Sequence, residues 1–286
     1  MFEHILIPVD GSNPARRATK YGLELAVKYD ATVEILHAWS EGRSSGETDP
    51  EVRGRDLVSE ATAVEVDGDL TVETAVVQGK PHRVIGDRVA ERNADLVVMG
   101  RRGRSGIGEH LLGSVPERVL RTVEVPVLTV PGTEVAPETG RSYSDLLLTT
   151  DGSEVSKRAA PIGADLARRL TATLHVFTAV DVQAEAGVFD AGGITGTYVE
   201  RLKDQRREAL DSLVDELDTA DLDIQREVAD GNVHEALDDY ATEHGVDLVV
   251  IASEGETNIL GQHLGSTARR VLQTVQRPVL VVPVTE

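Results

Sequence analysis

Short apolar runs alternate with amphipathic stretches along the first 131 residues. Residues 2–10 read as a buried strand ending in a carboxylate. Gly11-Ser12 follows, then a helix with apolar positions at Ala18, Tyr21, Leu25 and Ala26. Residues 31–39 form a second strand pattern. A polar loop over 40–50 and a weak helix over about 51–64 lead to a third strand at 72–77. Gly79-Lys80-Pro81 marks a turn before a helix whose apolar positions are Val84, Ile85, Val89 and Ala90. Residues 95–99 predict a fourth strand, 115–122 a helix and 126–130 a fifth strand. Strands that alternate with helices predict an α/β unit with a parallel sheet covered on both faces.

The pattern then recurs. Residues 145–153 repeat the first strand and its Asp-Gly-Ser ending at a shift of 141, and residues 173–180 repeat the second strand at the same shift. Residues 247–283 repeat 95–131 at a shift of 152 without a gap, with 19 of 37 positions identical. The change of shift by 11 residues places an insertion between the second and third strands of the second copy, within 181–197. A longer helix over about 198–217 follows it. The expected organisation is a first domain over 1–131, a linker over 132–144 with Pro and Gly, and a second domain over 145–286.

Composition narrows the chemistry. Zero cysteines exclude disulfides, thiolate metal sites and cysteine nucleophiles, and suit an intracellular setting. No cationic start precedes an apolar stretch, and no apolar run approaches the roughly 18 residues that span a bilayer. The expectation is a soluble, cytoplasmic protein with no membrane partner. The 49 acidic residues outweigh 29 basic ones, for a net charge of −20, and only five of the basic residues are lysine. Such a surface suits a halophilic, salt-rich cytoplasm, where about 1 M salt shortens the Debye length to roughly 3 Å and screens self-repulsion. An ordinary acidic cytosolic protein is the alternative. In either case nucleic acid is not an expected partner, because most of the surface would repel its phosphates.

The candidate chemistry lies between the fourth strand and the following helix. Gly100, Gly103, Gly106 and Gly108 line the loop, Gly113-Ser114 stands at the helix start, and Arg101, Arg102 and Arg104 add positive charge. Glycines permit close approach to the main chain, and backbone N–H groups at a helix N-terminus attract anions. By itself the loop is compatible with an anion site or with a plain flexible connection. Neither G-x-x-x-x-G-K-[ST] nor G-x-G-x-x-G occurs. In open α/β sheets ligands bind beyond the carboxyl ends of strands where the strand order reverses. That rule would bring Asp10-Gly11-Ser12 and the glycine loop to one cleft if strands one and four are neighbours. Ser114 with Glu117 is spaced as a capping box. The eight histidines show no metal-ligand spacing; His82 and His234 read as helix-start residues, and His37, on a strand and replaced by Thr178 in the second copy, does not read as a metal ligand.

Asp10-Gly11-Ser12, His37-Ala38, Gly79-x-Pro81 and the pattern G-x2-G-x9-G-[ST] at Gly100, Gly103, Gly113 and Ser114 resemble the universal stress protein family. The likeness occurs once per repeat and covers nearly the whole chain. It implies two tandem open parallel five-stranded sheets flanked by helices, adenine nucleotide alpha hydrolase-like, with strand order 3-2-1-4-5. It also implies edge pairing of fifth strands, here an intramolecular pseudo-dimer of residues 125–130 with 277–282, with a homodimer as a further possibility. By the same resemblance the nucleotide is ATP. Pro8, Val9 and Asp10 would line it, with Asp10 near the ribose or an Mg²⁺. Ala38 and Met99 would flank the adenine, and Gly100, Gly103, Gly113, Ser114 and Val115 would hold the phosphates.

The second copy departs from this pattern. Gly100, Gly106 and Gly108 become Ala252, Asn258 and Leu260, while Gly255, Gly265 and Ser266 remain. The loop charge changes from +2 over 100–109 to −2 over 252–261, where Glu254 and Glu256 stand. The expectation is an ATP-binding stress or signalling module with an intact site in the first repeat and a degenerate one in the second. Its alternatives are a slow ATPase or self-phosphorylating enzyme, for which no well-placed general base stands out, and a ligand-free dimerisation scaffold.

Overall fold

The computed structural model describes residues 1–40, 49–103, 112–132, 143–181, 196–254 and 264–284. The expected linker over 132–144 and the insertion over 181–197 lie mostly outside these residues, as do Arg104, Gly106, Gly108, Gly255, Glu256, Asn258 and Leu260. The first repeat runs β1 (His4–Pro8), α1 (Asn13–Tyr29), β2 (Thr32–Trp39), α2 (Pro50–Thr62), β3 (Val72–Gln78), α3 (Pro81–Arg92), β4 (Leu96–Gly100), α4 (Ser114–Thr122) and β5 (Val127–Val130). The second runs β6 (Asp145–Thr149), α5 (Glu154–Lys157), α6 (Ala160–Leu170), β7 (Thr173–Val180), α7 (Gly196–Asp215), β8 (Ile224–Asp230), α8 (Val233–Glu243), β9 (Leu248–Ala252), α9 (Ser266–Thr274) and β10 (Val279–Val282). No described helix is long and apolar enough to cross a membrane.

The chain forms two compact units, one of Met1–Val135 with Pro278–Glu286, the other of Ala136–Arg277. In the first, the strand order is β3-β2-β1-β4-β5 with all neighbours parallel, so the order expected for the family holds. The final strand of the chain then joins β5 antiparallel, with Val279 opposite Thr129 and Val281 opposite Val127. In the second unit β8-β7-β6-β9 repeats the order 3-2-1-4, again parallel.

Apolar runs long enough for strands but without polar alternation make the central strands, and β4, β5, β9 and β10 are buried throughout. Ser12 starts α1 by accepting a hydrogen bond from the Ala15 amide at 3.3 Å. That helix buries Ala18, Leu25 and Ala26 as the periodicity predicts, but Tyr21 stays half-exposed and Tyr29 packs under it on Phe2. In α3 only Val84 and Ile85 are buried, Val89 is half-buried and Ala90 is exposed. The cause is ionic. The C-terminal half of α3 meets the sheet through Arg88 and Arg92, which both donate to Glu34 of β2, so no apolar stripe is needed there.

Candidate functional site

In the first unit β1 and β4 are neighbours, and their carboxyl ends open at the point where the strand order reverses. Beyond β1 the chain turns through Asp10 and Gly11, which takes a left-handed φ of +78°. The turn is tied by the Ser12 amide, which donates to the Asp10 carboxylate at 3.0 Å. The β4 side reaches the same place. A Cβ on Gly103 would lie 2.6 Å from Asp10 Oδ2, so the loop backbone closes on the carboxylate and a side chain there would have to displace it. The Ser12 hydroxyl donates to the Arg102 carbonyl at 3.5 Å. Gly113 returns to the cleft because its amide donates to the Arg101 carbonyl at 3.0 Å. Asp10, Ser12, Gly103 and Gly113 therefore meet although 103 residues separate the first from the last.

The other expected residues are placed around this meeting point. Pro8 ends β1, and Val9 is buried with its amide on the Leu36 carbonyl at 2.8 Å. Ala38 and Met99 each stand one residue short of the end of a strand flanking β1; Ala38 is half-buried and Met99 is buried. Val115 is half-buried and Ser114 exposed at the start of α4.

Three details differ from the sequence reading. Ser114 does not hold the cap position of α4: it is the first helical residue, and the cap position belongs to Gly113, which has no side chain to cap with. Glu117 does not close a capping box but pairs with Arg121 at 3.2 Å, one turn on. Arg101 is not part of a cationic fringe. It is 3 % exposed, and its Nε donates to the Thr129 hydroxyl of β5 at 3.4 Å. Burial, with the charge of Arg102 beside it, pushes its pKa down to about 9, so it still carries a charge at neutral pH.

Gly100 has a different reason for being glycine than contact with a ligand. A Cβ there would lie 2.8 Å from the backbone of Pro14 and Ala15, so the residue lets the first turn of α1 pack on β4. In the second repeat Ala252 supplies that methyl. The helix corresponding to α1 is there divided into α5 and α6, with Arg158 and Ala159 between them.

The second repeat keeps the backbone frame and changes the side chains. Gly152 takes φ +83°, the Ser153 amide and hydroxyl donate to the Asp151 carboxylate, and the Gly265 amide donates to the Ser253 carbonyl at 2.7 Å. Gly265 holds the cap position of α9 and Ser266 its first residue, as in α4. Thr150 now bonds Ser156 at 2.7 Å, and Arg206 of α7 donates to the Asp151 carbonyl.

Two contacts near the first cleft are not legible in the sequence. His37 Nδ1 lies 2.8 Å from the Val9 carbonyl, and Leu57 of α2 packs on Gly11. The repeat of His37 as Thr178 argued against a metal ligand, but nothing in the sequence places a strand-two imidazole on a strand-one carbonyl. Among the described residues no group of three or more His, Asp or Glu could hold a metal ion by itself.

Comparison with known proteins agrees with this arrangement. The model of the Universal stress protein family matches residues 1–131 and 142–283. A universal stress protein of Mycolicibacterium smegmatis is 29% identical over 293 residues, covering 97% of this chain and 96% of its own. YxiE of Bacillus subtilis, also a universal stress protein, is 30% identical over 150 residues, 46% of this chain and 99% of its own. Among solved structures, a universal stress protein of Archaeoglobus fulgidus shares the fold with a TM-score of 0.69 at 20% identity, covering 97% of each chain. A universal stress protein solved in complex with cAMP covers 46% of this chain at 25% identity, with a TM-score of 0.36.

Proposed function

For a chain that belongs to the universal stress protein family over both repeats, we propose that the first cleft binds ATP and that the second binds it weakly or not at all. The observation that carries this reading is the contact of Gly103 with the Asp10 carboxylate beside the start of α4, where Gly113 holds the cap position. Amide N–H groups in the first turn of a helix have no intrahelical partner, and the positive end of the helix dipole favours phosphate there. Ser114 and Val115 supply such amides, and Gly113 lets a phosphate reach them. Pro8, Val9, Ala38 and Met99 form the less polar side, suited to a base and ribose. An Mg²⁺ would arrive with the phosphates, since this ion is held by one or two carboxylates plus substrate oxygens, and Asp10 supplies one carboxylate. In the second cleft Ala252, Glu254 and Arg206 replace this chemistry, and a carboxylate near a polyphosphate repels it by about 1 kcal/mol even in water-like surroundings.

Calorimetric titration of the full chain with ATP tests the reading. One site per chain is expected, and Gly103→Val should abolish it, because the new side chain takes the space of the Asp10 carboxylate. Two equal sites, or unchanged binding by the variant, would overturn the assignment. Titration with cAMP in parallel reports how much the polyphosphate contributes. A phosphate-release assay, with Asp10→Ala as control, separates a binder from a slow ATPase.

A further inference from the structure

Carbonyls just beyond the first strand are capped in both repeats, at Val9 and at Asp151, but from opposite sides. In the first repeat the cap comes from the sheet. His37, on β2, bonds the Val9 carbonyl at 2.8 Å through Nδ1. A carbonyl only accepts, so Nδ1 carries the proton, and it does so in the neutral and the cationic ring alike. Room for the ring is made by Gly54 of α2. A Cβ at that position would lie 2.8 Å from His37 Cδ2 and 2.7 Å from Val76 Cγ1. Glycine weakens the interior of a helix, so its presence there answers to the imidazole together with Val76.

In the second repeat the cap comes from the helix. Leu57 sits on Gly11 as Ala209 sits on Gly152, which sets the shift between α2 and α7 at 152 and makes Arg206 the counterpart of Gly54. His37 is replaced by Thr178, a smaller side chain that is 3 % exposed. Arg206 then donates to the Asp151 carbonyl, one residue beyond the position His37 caps. Its guanidinium comes within 3.7 Å of where a Gly152 Cβ would stand. The strand register confirms the correspondence: His37 pairs with Val76, and Thr178 with Val228. A large cap on the strand with glycine on the helix has been exchanged for a small residue on the strand with arginine on the helix.

We propose that this pair of positions decides which repeat admits a nucleotide: His37 with Gly54 holds the rim of the first cleft open, and Arg206 with Thr178 lays a side chain across the rim of the second. His37 is a positioning residue. It fixes the Val9 carbonyl and through it the direction of Asp10, without itself touching the ligand. The proposal rests on the ATP reading above for its ligand and not for its geometry.

Four variants of the full chain test it. His37→Asn keeps an N–H for the Val9 carbonyl and should bind ATP within about threefold of the unmodified chain. His37→Leu fills similar space without a donor and should bind about tenfold more weakly. Gly54→Arg alone collides with the imidazole and should lower Tm by about 5 °C or more. His37→Thr with Gly54→Arg should recover most of that loss, while ATP affinity falls by about tenfold or more. Wild-type affinity in the double variant, equal affinity of the Asn and Leu variants, or additive changes in Tm would overturn the proposal. If the unmodified chain binds no ATP but the Tm coupling is present, the ATP reading and the gating role fall together, while the exchange of caps stands.

Discussion

At the scale of single residues, the polar groups buried at the far end of the sheet are as informative as the cleft. Glu34 is 7 % exposed and takes hydrogen bonds from Arg88 and from Arg92, the latter at 3.1 Å, while Arg92 also reaches Glu73. Removing one member of a buried ion pair strands the others. Glu34→Ala should cost about 3 kcal/mol, read by denaturant unfolding, and more than Glu73→Ala, whose carboxylate is half in water. The second repeat places His175, Tyr240, His244 and Asp145 at the positions of Glu34, Arg88, Arg92 and His4. There His175 is 1 % exposed and bonds Tyr240 at 2.9 Å and Asp145 at 3.0 Å, and the Tyr240 ring stacks on His244 at 4.1 Å. Burial, with Glu227, Asp145 and Glu243 nearby, raises the Tyr240 pKa, so the phenol stays neutral and available as a donor to the imidazole. None of this is legible from spacing. Glu34 lies 54 residues from Arg88, and a charged residue inside a strand pattern carries no mark of its partner. Asp10, Gly103 and Gly113 were legible, because a turn, a glycine pattern and a strand context pointed to one place. Arg101 was misread because the direction of a side chain just past a strand end is settled by the neighbouring strand.

At the scale of elements, the alternation of strand and helix was readable almost to the residue, since the apolar runs are short and bounded by Gly, Pro, Asn and Asp. What periodicity overstated was the buried face of α3, where arginine stems and an ion network replace the apolar contacts. Helix ends carry their own energetics. Asp30 and Asn93 end α1 and α3 in the left-handed region, which their short polar side chains tolerate. Thr171 holds the same conformation, φ 56°, at the end of α6, although it is β-branched. Thr171→Asp, which copies the first repeat, should stabilise the second unit by about 1 kcal/mol, seen as a higher denaturant midpoint without a change in slope. The second repeat differs from the first in both elements: β9 ends on Ala252, and the first helix is divided into α5 and α6. Where β4 offers a bare Gly100 the first helix runs unbroken for 17 residues, and where β9 offers a methyl it does not.

At the scale of the whole molecule, the net charge of −20 sets the conditions under which the fold is comfortable. Carboxylates repel one another at low ionic strength and are screened as salt rises. If the acidic surface answers to a salt-rich cytoplasm, Tm should climb steeply between dilute buffer and about 1 M KCl, where the Debye length is roughly 3 Å. A flat profile would favour an ordinary acidic protein. The tandem repeat itself was plain in the sequence, because 37 aligned residues share 19 identities. The pairing of the last strand with β5 was expected from the family resemblance and not from the apolar pattern. Residues 279–282 repeat the fifth strand of the first copy, yet they group with the first compact unit and pair antiparallel with β5. Their apolar pattern is equally good for either neighbour.

That allocation bears on how the chain is made. Thr129 is made 150 residues before Val279, so the outer backbone groups of β5 wait for residues 279–282 before they find these partners. Until then β5 is a bare template for any passing strand. The nascent protein is most open to mispairing while its second half is still being synthesised, and the arrival of β10, rather than completion of the first repeat, is the event that covers that edge.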